Sequence, residues 1–562
     1  MSINDIFNAA AAGVNMQRLG IEVTGQNIAN VNTAGYSRQR VILETGPVRD
    51  LAGYSLGTGV KLAAIQRSYD ELLQKQLTDA NSSYNQNLVQ QTAMSEIEPL
   101  FNEISEAGLG QDIQNFFDSW QDLSLRPEGV PERQAVLTRA QMLVDSFQQT
   151  DMSLRNIQSI ANSSLVTITG EISDSLKQIA LLNDQIRTSE LTTGASSNEL
   201  RDQRELLLRG LSEKVGIAYF EENDGTVSVN LSNGQQLVSG SSYGKMYTYP
   251  TNGLNDIWVT TVGNPPPSPS HSSPPDRLIT TLVNGQVGSQ GELGGTLLTR
   301  DVIVPKVLSS INELANSISR EVNLLHRSGY GLPDPQNGNV ASTGLPFFTE
   351  NQLVKTGDTS IVGSAVISGL DTSSIWIGMT VSGAGIPAGA VVTAIPSSVP
   401  ASAKGSVEIY PPLAAGGAAG TAVTFTGVTT STFSVAINKT VDIAASDADT
   451  VINGTGNNRN AVAIAELLND TGTSFSIGTT SIADFYATLV STVGLQTQSI
   501  NSSVSQGEAY NLQLNTLWES KSAVSLDEEL TNLIKYQKAF EGSAKMITTA
   551  ADMMDVVLNM VR

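Results

Sequence analysis

The chain has no cysteine and only two histidines, His271 and His326. Disulfides, thiolate nucleophiles and cysteine-based zinc sites are therefore excluded, and two histidines cannot build a three-histidine metal centre. Basic side chains are also scarce. Lys and Arg number 32 against 54 Asp and Glu, a formal charge of −22. That charge repels phosphate backbones and anionic lipid, so neither nucleic acid nor membrane is an expected partner. No apolar run approaches the roughly 18 residues that span a bilayer. A secretory signal is missing too: Asn4 and Asp5 stand where a basic n-region would be, and Arg18 falls in mid-helix. Read bare, such a chain looks cytosolic, and export would need a route that uses no cleavable signal peptide. Nucleophile-elbow, Walker A and zinc-helix motifs are absent, and Gly57-Thr58-Gly59 lacks the third glycine and the following helix of a dinucleotide loop. The expectation is a non-enzymatic protein with no catalytic residue, cofactor or metal.

What is present is concentrated at the two ends. From Ile3, apolar residues recur at Phe7, Ala10, Val14, Ile21 and Ile28, with Gln17 and Thr24 filling the gaps. Near the other end Leu526, Leu530, Leu533, Phe540, Ala544, Ile547, Ala551, Met554, Leu558 and Val561 keep the same three–four alternation, broken only by Gln537. A seven-residue repeat of this kind predicts two helices, each with one narrow apolar seam of the coiled-coil sort. Ser2 with Asp5 and Ser525 with Glu528 read as capping boxes, and Asp527, Glu528 and Glu529 suit a positive helix N-terminus. The first helix should stop between Asn30 and Gly35. Small residues along both helices permit close packing. Subunit-to-subunit packing of the seams, with termini frayed in the free subunit, stands against two alternatives: an intramolecular hairpin, or two amphipathic helices on a globular core.

The 562 residues leave room for three or four domains between these ends. A short extended run at 36–44 precedes Gly-rich turns and a strand at 60–65. Helical spacing returns at Leu73, Leu77, Ala80, Tyr84 and Leu88, and Pro99, Pro127 and Pro131 bound a segment rich in Phe116, Phe117 and Trp120. A long helix is expected over 151–189, and another helical piece ends at 206–208. The period then changes to two, with strands at 215–221, 226–231 and 235–238 separated by Asp224-Gly225 and Asn233-Gly234. Strands at 257–262 and 278–283 continue the sheet around a proline-rich loop at 265–275, with Asn284-Gly285 as a further turn. Asp301 opens one more helix. Between 357 and 442 charge nearly vanishes, and short strands are expected at 374–381, 390–395, 407–410, 422–425 and 433–437, an inserted β-rich module. Helical spacing resumes after Asn460 and from Ile482 to Trp518. The fold class is multidomain α+β: coiled-coil-like terminal helices, a helical bundle domain, a mixed α/β domain and an inserted all-β domain, nested out and back.

Isolated features have plain readings. Asp447, Asp449 and Asn453 resemble a calcium loop, but Asn458 stands where an EF-hand has Glu and Gly454 is displaced from its place, so a solvated turn is expected. The carboxylates Glu221, Glu222 and Asp224 are explained by hairpin chemistry. His326, near a helix C-terminus and before Gly329, reads as a dipole contact, and His271 as an exposed loop residue.

The stretch NIANVNTAGY (27–36) resembles the signature of bacterial flagellar rod, hook and hook-associated proteins, and the closing SLDEELTNLIKYQKAFEGSAKMITTAADMMDVVLNMVR resembles their C-terminal helix. Phe116-Phe117, RQAVL (133–137), LNDQI (182–186), LRDQRELL (200–207) and NNRN (457–460) narrow the resemblance to the hook-associated protein 1 branch, over residues 1–345 and 455–562. It implies a structural axial protein at the junction between hook and filament, extracellular in the flagellum, exported by the flagellar type III route, and self-assembling through its terminal helices. Implied partners are other copies of itself, the hook protein, the next junction protein (hook-associated protein 3) and an export chaperone. The implied division is a terminal domain (1–60 with 520–562), a helical bundle (61–190 with 475–519), a mixed domain (191–345 with 455–474) and an inserted outer domain (346–454). Besides the two seams, the resemblance points to Asn30, Asn32, Gly35 and Tyr36 at the turn leaving the inner helix. WIGMTVSGAGIPAGAVVTAI (376–395) departs from that branch and resembles repeats in phage-tail and bacterial surface β domains. The alternatives are another axial protein such as a long hook protein, or a surface adhesin or carbohydrate-binding protein acting through the β insert.

Overall fold

The computed structural model describes residues 3–561 except 52–53, 58, 102–107, 252, 261–276, 279–281, 284–285, 288–289, 360–362, 373, 397–404, 415, 419 and 477. Ser2, the proline-rich loop with His271, and the Asn284-Gly285 turn lie outside the described residues. The helices in chain order are α1 (Ile3–Ala29), α2 (Glu71–Ile97), α3 (Leu109–Leu125), α4 (Val130–Thr193), α5 (Asn198–Lys214), α6 (Gly291–Leu298), α7 (Val304–Ser328), α8 (Thr450–Asn453), α9 (Arg459–Glu466), α10 (Ile482–Ser522) and α11 (Leu526–Val561). The chain divides into two compact units. One comprises Met1–Gln90, Asn162–Leu298 and Asn501–Arg562, the other Gln91–Ala161 and Thr299–Ile500.

In the first unit α1 packs along α11. An antiparallel ribbon follows α1, formed by β1 (Gln39–Thr45) and β4 (Val60–Arg67) with a bulge at Ile42/Leu43, and between them β2 (Val48–Leu51) pairs with β3 (Tyr54–Gly57). Leu73, Leu77 and Ala80 of α2 meet Leu514 and Trp518 of α10. The main core of this unit is built on α4, where Leu165, Ile168, Ile172, Leu176 and Ile179 form one stripe at helical spacing. The stripe covers the inward side chains of two antiparallel sheets. One has the order β5 (Ile217–Glu221), β6 (Val227–Leu231), β7 (Gln236–Ser239), β8 (Ser242–Tyr243). The other joins β9 (Lys245–Thr251), β10 (Leu254–Thr260) and β11 (Arg277–Leu278). Gly225 and Gly234 both take left-handed backbone at the expected hairpin turns. Of the expected strand at 278–283, Leu278 lies in β11 and Leu282–Val283 form β12, which pairs with β13 (Gln286–Val287), while 279–281 lie outside the described residues.

Three helix boundaries differ from the expectation. The helix placed at 151–189 starts at Val130, because Pro131 sits in its first turn, where an amide N–H has no partner to lose. The piece placed to end at 206–208 runs to Lys214. Asp301 opens no helix: it lies in a π-helical stretch, Thr299–Ile303, that links α6 to α7. There the buried Arg300 is held by Asp301 at 2.6 Å.

The second unit contains an aromatic core. Phe116 and Trp120 of α3, Phe147 of α4, and Phe347, Phe348 and Phe433 are all fully buried, in edge-on and tilted contacts at centroid distances of 4.6–6.5 Å. Hairpin β14 (Tyr330–Asp334) and β15 (Val340–Thr343) follows α7. Next comes the inserted module, an antiparallel sheet of β16 (Asn351–Gly357), β17 (Val366–Leu370), β18 (Thr380–Gly383), β19 (Val391–Ala394), β20 (Gly405–Tyr410) and β21 (Thr421–Gly427) in the order β16-β21-β18-β19-β20-β17. The sheet closes on itself, since Asp358, just past β16, bridges Ser368 of β17 with an N–H to carbonyl bond of 2.8 Å. Ile367, Val381, Val392, Val407, Ile409, Val423 and Phe425 fill the interior.

Two expected strands of the module are corrected. At 374–381 only Thr380 and Val381 join a strand, because 374–379 turns to admit Ile375 and Met379 to the barrel core. At 433–437 there is a single bridge, Phe348 to Val435, and Phe433 packs against Phe147 and Phe348 instead. The chain beyond Gly427 therefore returns to the helical core of its unit. A last hairpin, β22 (Ser474–Phe475) and β23 (Gly478–Thr479), precedes α10.

Candidate assembly interface

The two terminal helices are antiparallel and locked in register by heptad-spaced residues. A Cβ on Gly13 would lie 3.0 Å from Ser543 Oγ, and a Cβ on Gly20 would lie 2.8 Å from the Tyr536 ring. Asn27 Nδ2 donates to Glu529 Oε2 at 3.0 Å. Each seven-residue step forward on α1 thus meets a seven-residue step back on α11. Glycine at two of the three α1 positions lets the backbones approach and gives the tyrosine ring its place. The intramolecular hairpin, one of the alternatives left open by the seam pattern, exists.

Its inward face is centred beside the seam read from the sequence and takes in only part of it. On α1 the buried residues are Ala10, Gly20, Val23, Thr24 and Asn27, and on α11 Glu529 and Ala550. Of the described α1 seam positions, Ala10 and Thr24 are buried. Val14, Ile21 and Ile28 are half-buried and Phe7 is exposed. Leu533, Phe540, Ala544 and Ile547 of α11 are half-buried, while Leu526, Leu530, Ala551, Met554 and Leu558 are exposed. Ile3 and Val561 lie in the helices with side chains outside the described residues. The hairpin uses one of the two seam stripes on each helix and leaves the other on its flank. A further stripe, Met546, Met553 and Met560, lies exposed on the opposite flank of α11.

A polar knot ties this hairpin to the ribbon. Asn27, 1 % exposed, donates from Nδ2 to the Gln39 carbonyl at 2.9 Å and to Glu529, and its Oδ1 accepts from Tyr36 O–H at 2.9 Å and Gln39 N–H at 3.0 Å. Its full donor and acceptor capacity is used. The buried Arg38 donates to both Glu529 at 2.7 Å and Glu528, and its backbone N–H reaches the Ser522 carbonyl. The acidic first turn of α11 is therefore met by a specific cation. Asp202 of α5 accepts from Ser37 N–H and Arg67, yet burial outweighs these contacts and raises its pKa. Burial, followed by the charges of Glu199, Asp202 and Glu529, pushes the Tyr36 phenol up to about 12. The proton it donates to Asn27 stays in place at any physiological pH.

The four turn residues have separate duties. Asn30 closes α1 through Gln26 and accepts from Thr33 Oγ1, Gly35 takes φ +77° beside Leu206, Tyr36 joins the knot, and Asn32 is exposed. Asn27 and Arg38 were not singled out from the sequence, and Glu529 was read only as part of an acidic first turn. The legible signal was that Asn27 continues the seven-residue step of Gly13 and Gly20.

Two other sequence readings meet the structure in the second unit. His326 is not a charged dipole contact. Its Nδ1 faces the Leu345 carbonyl at 2.7 Å and its Nε2 accepts from Ala444 N–H at 3.0 Å, so the ring is held neutral. Burial, its largest cause, lowers its pKa to about 4. Asp449 accepts from Val451 N–H as the cap of α8, and Asp447 accepts from Asn457.

The two ends of the chain form one antiparallel helical pair, with the other described elements between them in sequence. Residues 519–560 match the family model described as flagellar basal body rod FlgEFG protein C-terminal. Residues 94–348 match the model described as flagellar hook-associated protein FlgK helical domain. Flagellar hook-associated protein 1 of Salmonella typhimurium is 29% identical over 574 residues, covering 99% of this chain and 100% of that protein. The Escherichia coli K12 protein of the same name is 28% identical with the same coverage, and that of Bacillus subtilis is 26% identical over 98% of this chain. A solved structure, the flagellar hook junction protein FlgK from Burkholderia pseudomallei, shares the fold with a TM-score of 0.57 at 18% identity, over 79% of this chain and all of that one. The chain is thus similar over its whole length to flagellar hook-associated protein 1.

Proposed function

We propose that this chain is a structural protein of the flagellar hook–filament junction that assembles side by side with its own copies through the flanks of its terminal hairpin. The family is one of structural flagellar proteins, part of the flagellum outside the cell, and its members assemble with other axial components. The observation that carries the finer reading is the pair of apolar stripes left on α11. One runs through Leu530, Ala551 and Leu558, the other through Met546, Met553 and Met560. They lie on opposite flanks of the face that α1 covers, so one copy offers an apolar strip to a neighbour on each side. Two different lateral surfaces make a heterologous contact, which closes into a ring or continues as a helix.

On the same reading the hook protein sits below, hook-associated protein 3 follows above, and a chaperone covers the apolar stripes during export through the type III route. The terminal domain (1–60 with 520–562) lines the innermost tube of the assembly. Leu530→Asp with Leu558→Asp tests it. Both side chains are exposed in the single chain, so the variant should fold normally yet fail to join purified hooks that lack this protein. Incorporation at the wild-type level would refute the reading.

A further inference from the structure

The chain's only sulfur is methionine, and four of its eleven methionines fall in the second half of α11. Met546, Met553, Met554 and Met560 are 50, 39, 38 and 81% exposed. Three of them recur at seven-residue steps, and Met554 continues the seven-residue step of Leu533, Phe540 and Ile547. By contrast Met94, Met246 and Met379 are buried in the cores of their units. Met142 and Met152, on the part of α4 that belongs to the second unit, are exposed. Thioethers suit a contact that must adapt to several neighbours, since they are flexible and polarisable. They are also the side chains an oxygen-atom donor reaches first in a chain without thiols.

We propose that these four methionines make assembly sensitive to oxidation: a peroxide that meets the free subunit converts the stripe to sulfoxide and blocks incorporation, while incorporation shields the sulfurs. This rests on the lateral-packing reading above. In the step a sulfur lone pair attacks one oxygen of hydrogen peroxide, the O–O bond breaks and an S–O bond forms. The departing hydroxide takes the remaining proton and leaves as water. Sulfur loses two electrons and peroxide gains them. Each sulfoxide puts a strong dipole where the neighbour offers apolar surface, and such a group has no hydrogen-bond partner there. Methionine sulfoxide reductases of both epimer specificities reverse the change.

The test uses the full-length chain treated with hydrogen peroxide, quenched, mapped by peptide mass and added to purified hooks that lack it. Subunits carrying the four sulfoxides should incorporate at least roughly tenfold less, and reductase treatment should restore them. Peroxide applied after incorporation should oxidise Met142 and Met152 but spare the four. Whatever its basal level of incorporation, a variant with Met546, Met553, Met554 and Met560 all changed to Leu should show no further loss on peroxide treatment. Undiminished incorporation of the tetra-sulfoxide chain overturns the proposal, and so does equal oxidation of the four in free and incorporated subunits. If the leucine variant loses incorporation on peroxide treatment as the wild type does, the sensitive group lies elsewhere and the proposal also fails. Leu558→Asp separates the two readings. If it incorporates, lateral packing itself is wrong; if it is blocked while the tetra-sulfoxide chain is not, only the oxidation proposal falls.

Discussion

Gly20 of α1 lies against the ring of Tyr536 on α11, so close that a Cβ would stand 2.8 Å from two ring carbons. This contact sets the register of the terminal hairpin, because a larger α1 residue would push the helices apart. Gly20→Leu should cost about 1–3 kcal/mol through overpacking. Hydrogen exchange should accelerate in α1 and α11 and stay unchanged in the second unit, and adding Tyr536→Ala should restore much of the protection. Unchanged exchange in the single variant would show that the register is wrong.

Arg38 and Glu529 form a buried ion pair at 2.7 Å with side chains 10 and 3% exposed. Glu529→Ala leaves the guanidinium in the interior with only the exposed Glu528 for company, a loss of about 3–5 kcal/mol for a broken buried pair. The double variant Arg38→Ala/Glu529→Ala should lose less than the two single losses combined. Denaturant midpoints read in the first unit provide the double-mutant cycle, and strict additivity would show that the two residues act independently.

His326 should make the second unit acid-sensitive. Its folded pKa, lowered by burial to about 4, lies below the ordinary value of 6.5, so the unfolded chain binds the proton more tightly. The neutral ring's contribution is complete above 6.5 and declines as pH falls from there towards 4, by about 3 kcal/mol in all. Asp442 opposes the shift and Arg133 adds to it. Urea unfolding of the wild type and of His326→Gln should show stabilities that converge as pH falls from about 7 to 4.5. A constant difference across that range would mean that the ring does not titrate as described.

The β module should be removable only at the right joints. Asn351 and Gly427 are paired neighbours on β16 and β21, so the two cut ends lie side by side and a short linker closes them. Deleting 351–427 should leave cooperative melting of the rest of the second unit and incorporation into hooks. Deleting 357–442, the span suggested by composition, removes Phe433 from its place against Phe147 and Phe348 and should unfold the aromatic core. Retention of binding to hooks by the shorter deletion would also count against an adhesin reading of the module, which requires the barrel for its main activity.

The local features were legible because their causes are local. Turns at Asp224-Gly225 and Asn233-Gly234 follow from glycine's access to left-handed backbone, and α1 and α11 follow from a seven-residue repeat. The boundaries of α4, α5 and α7 were less so. Pro131 was read as a break when it starts a helix, and the π-helical Thr299–Ile303 carries no periodic signature of its own.

Order along the chain, the helical ends, the sharp compositional shift of the insert and the family signature were all determined by amino-acid sequence alone. Which stripe of each terminal helix turns inward was decided only in three dimensions. The apolar repeat does not mark the small and polar stripe beside it, and the inward turn belongs to the fit of Gly13, Gly20 and Asn27 against Ser543, Tyr536 and Glu529, some 500 residues away in the chain. The closed barrel and the neutral His326 have the same origin. Strand closure and desolvation depend on groups distant in sequence, and no periodicity encodes them.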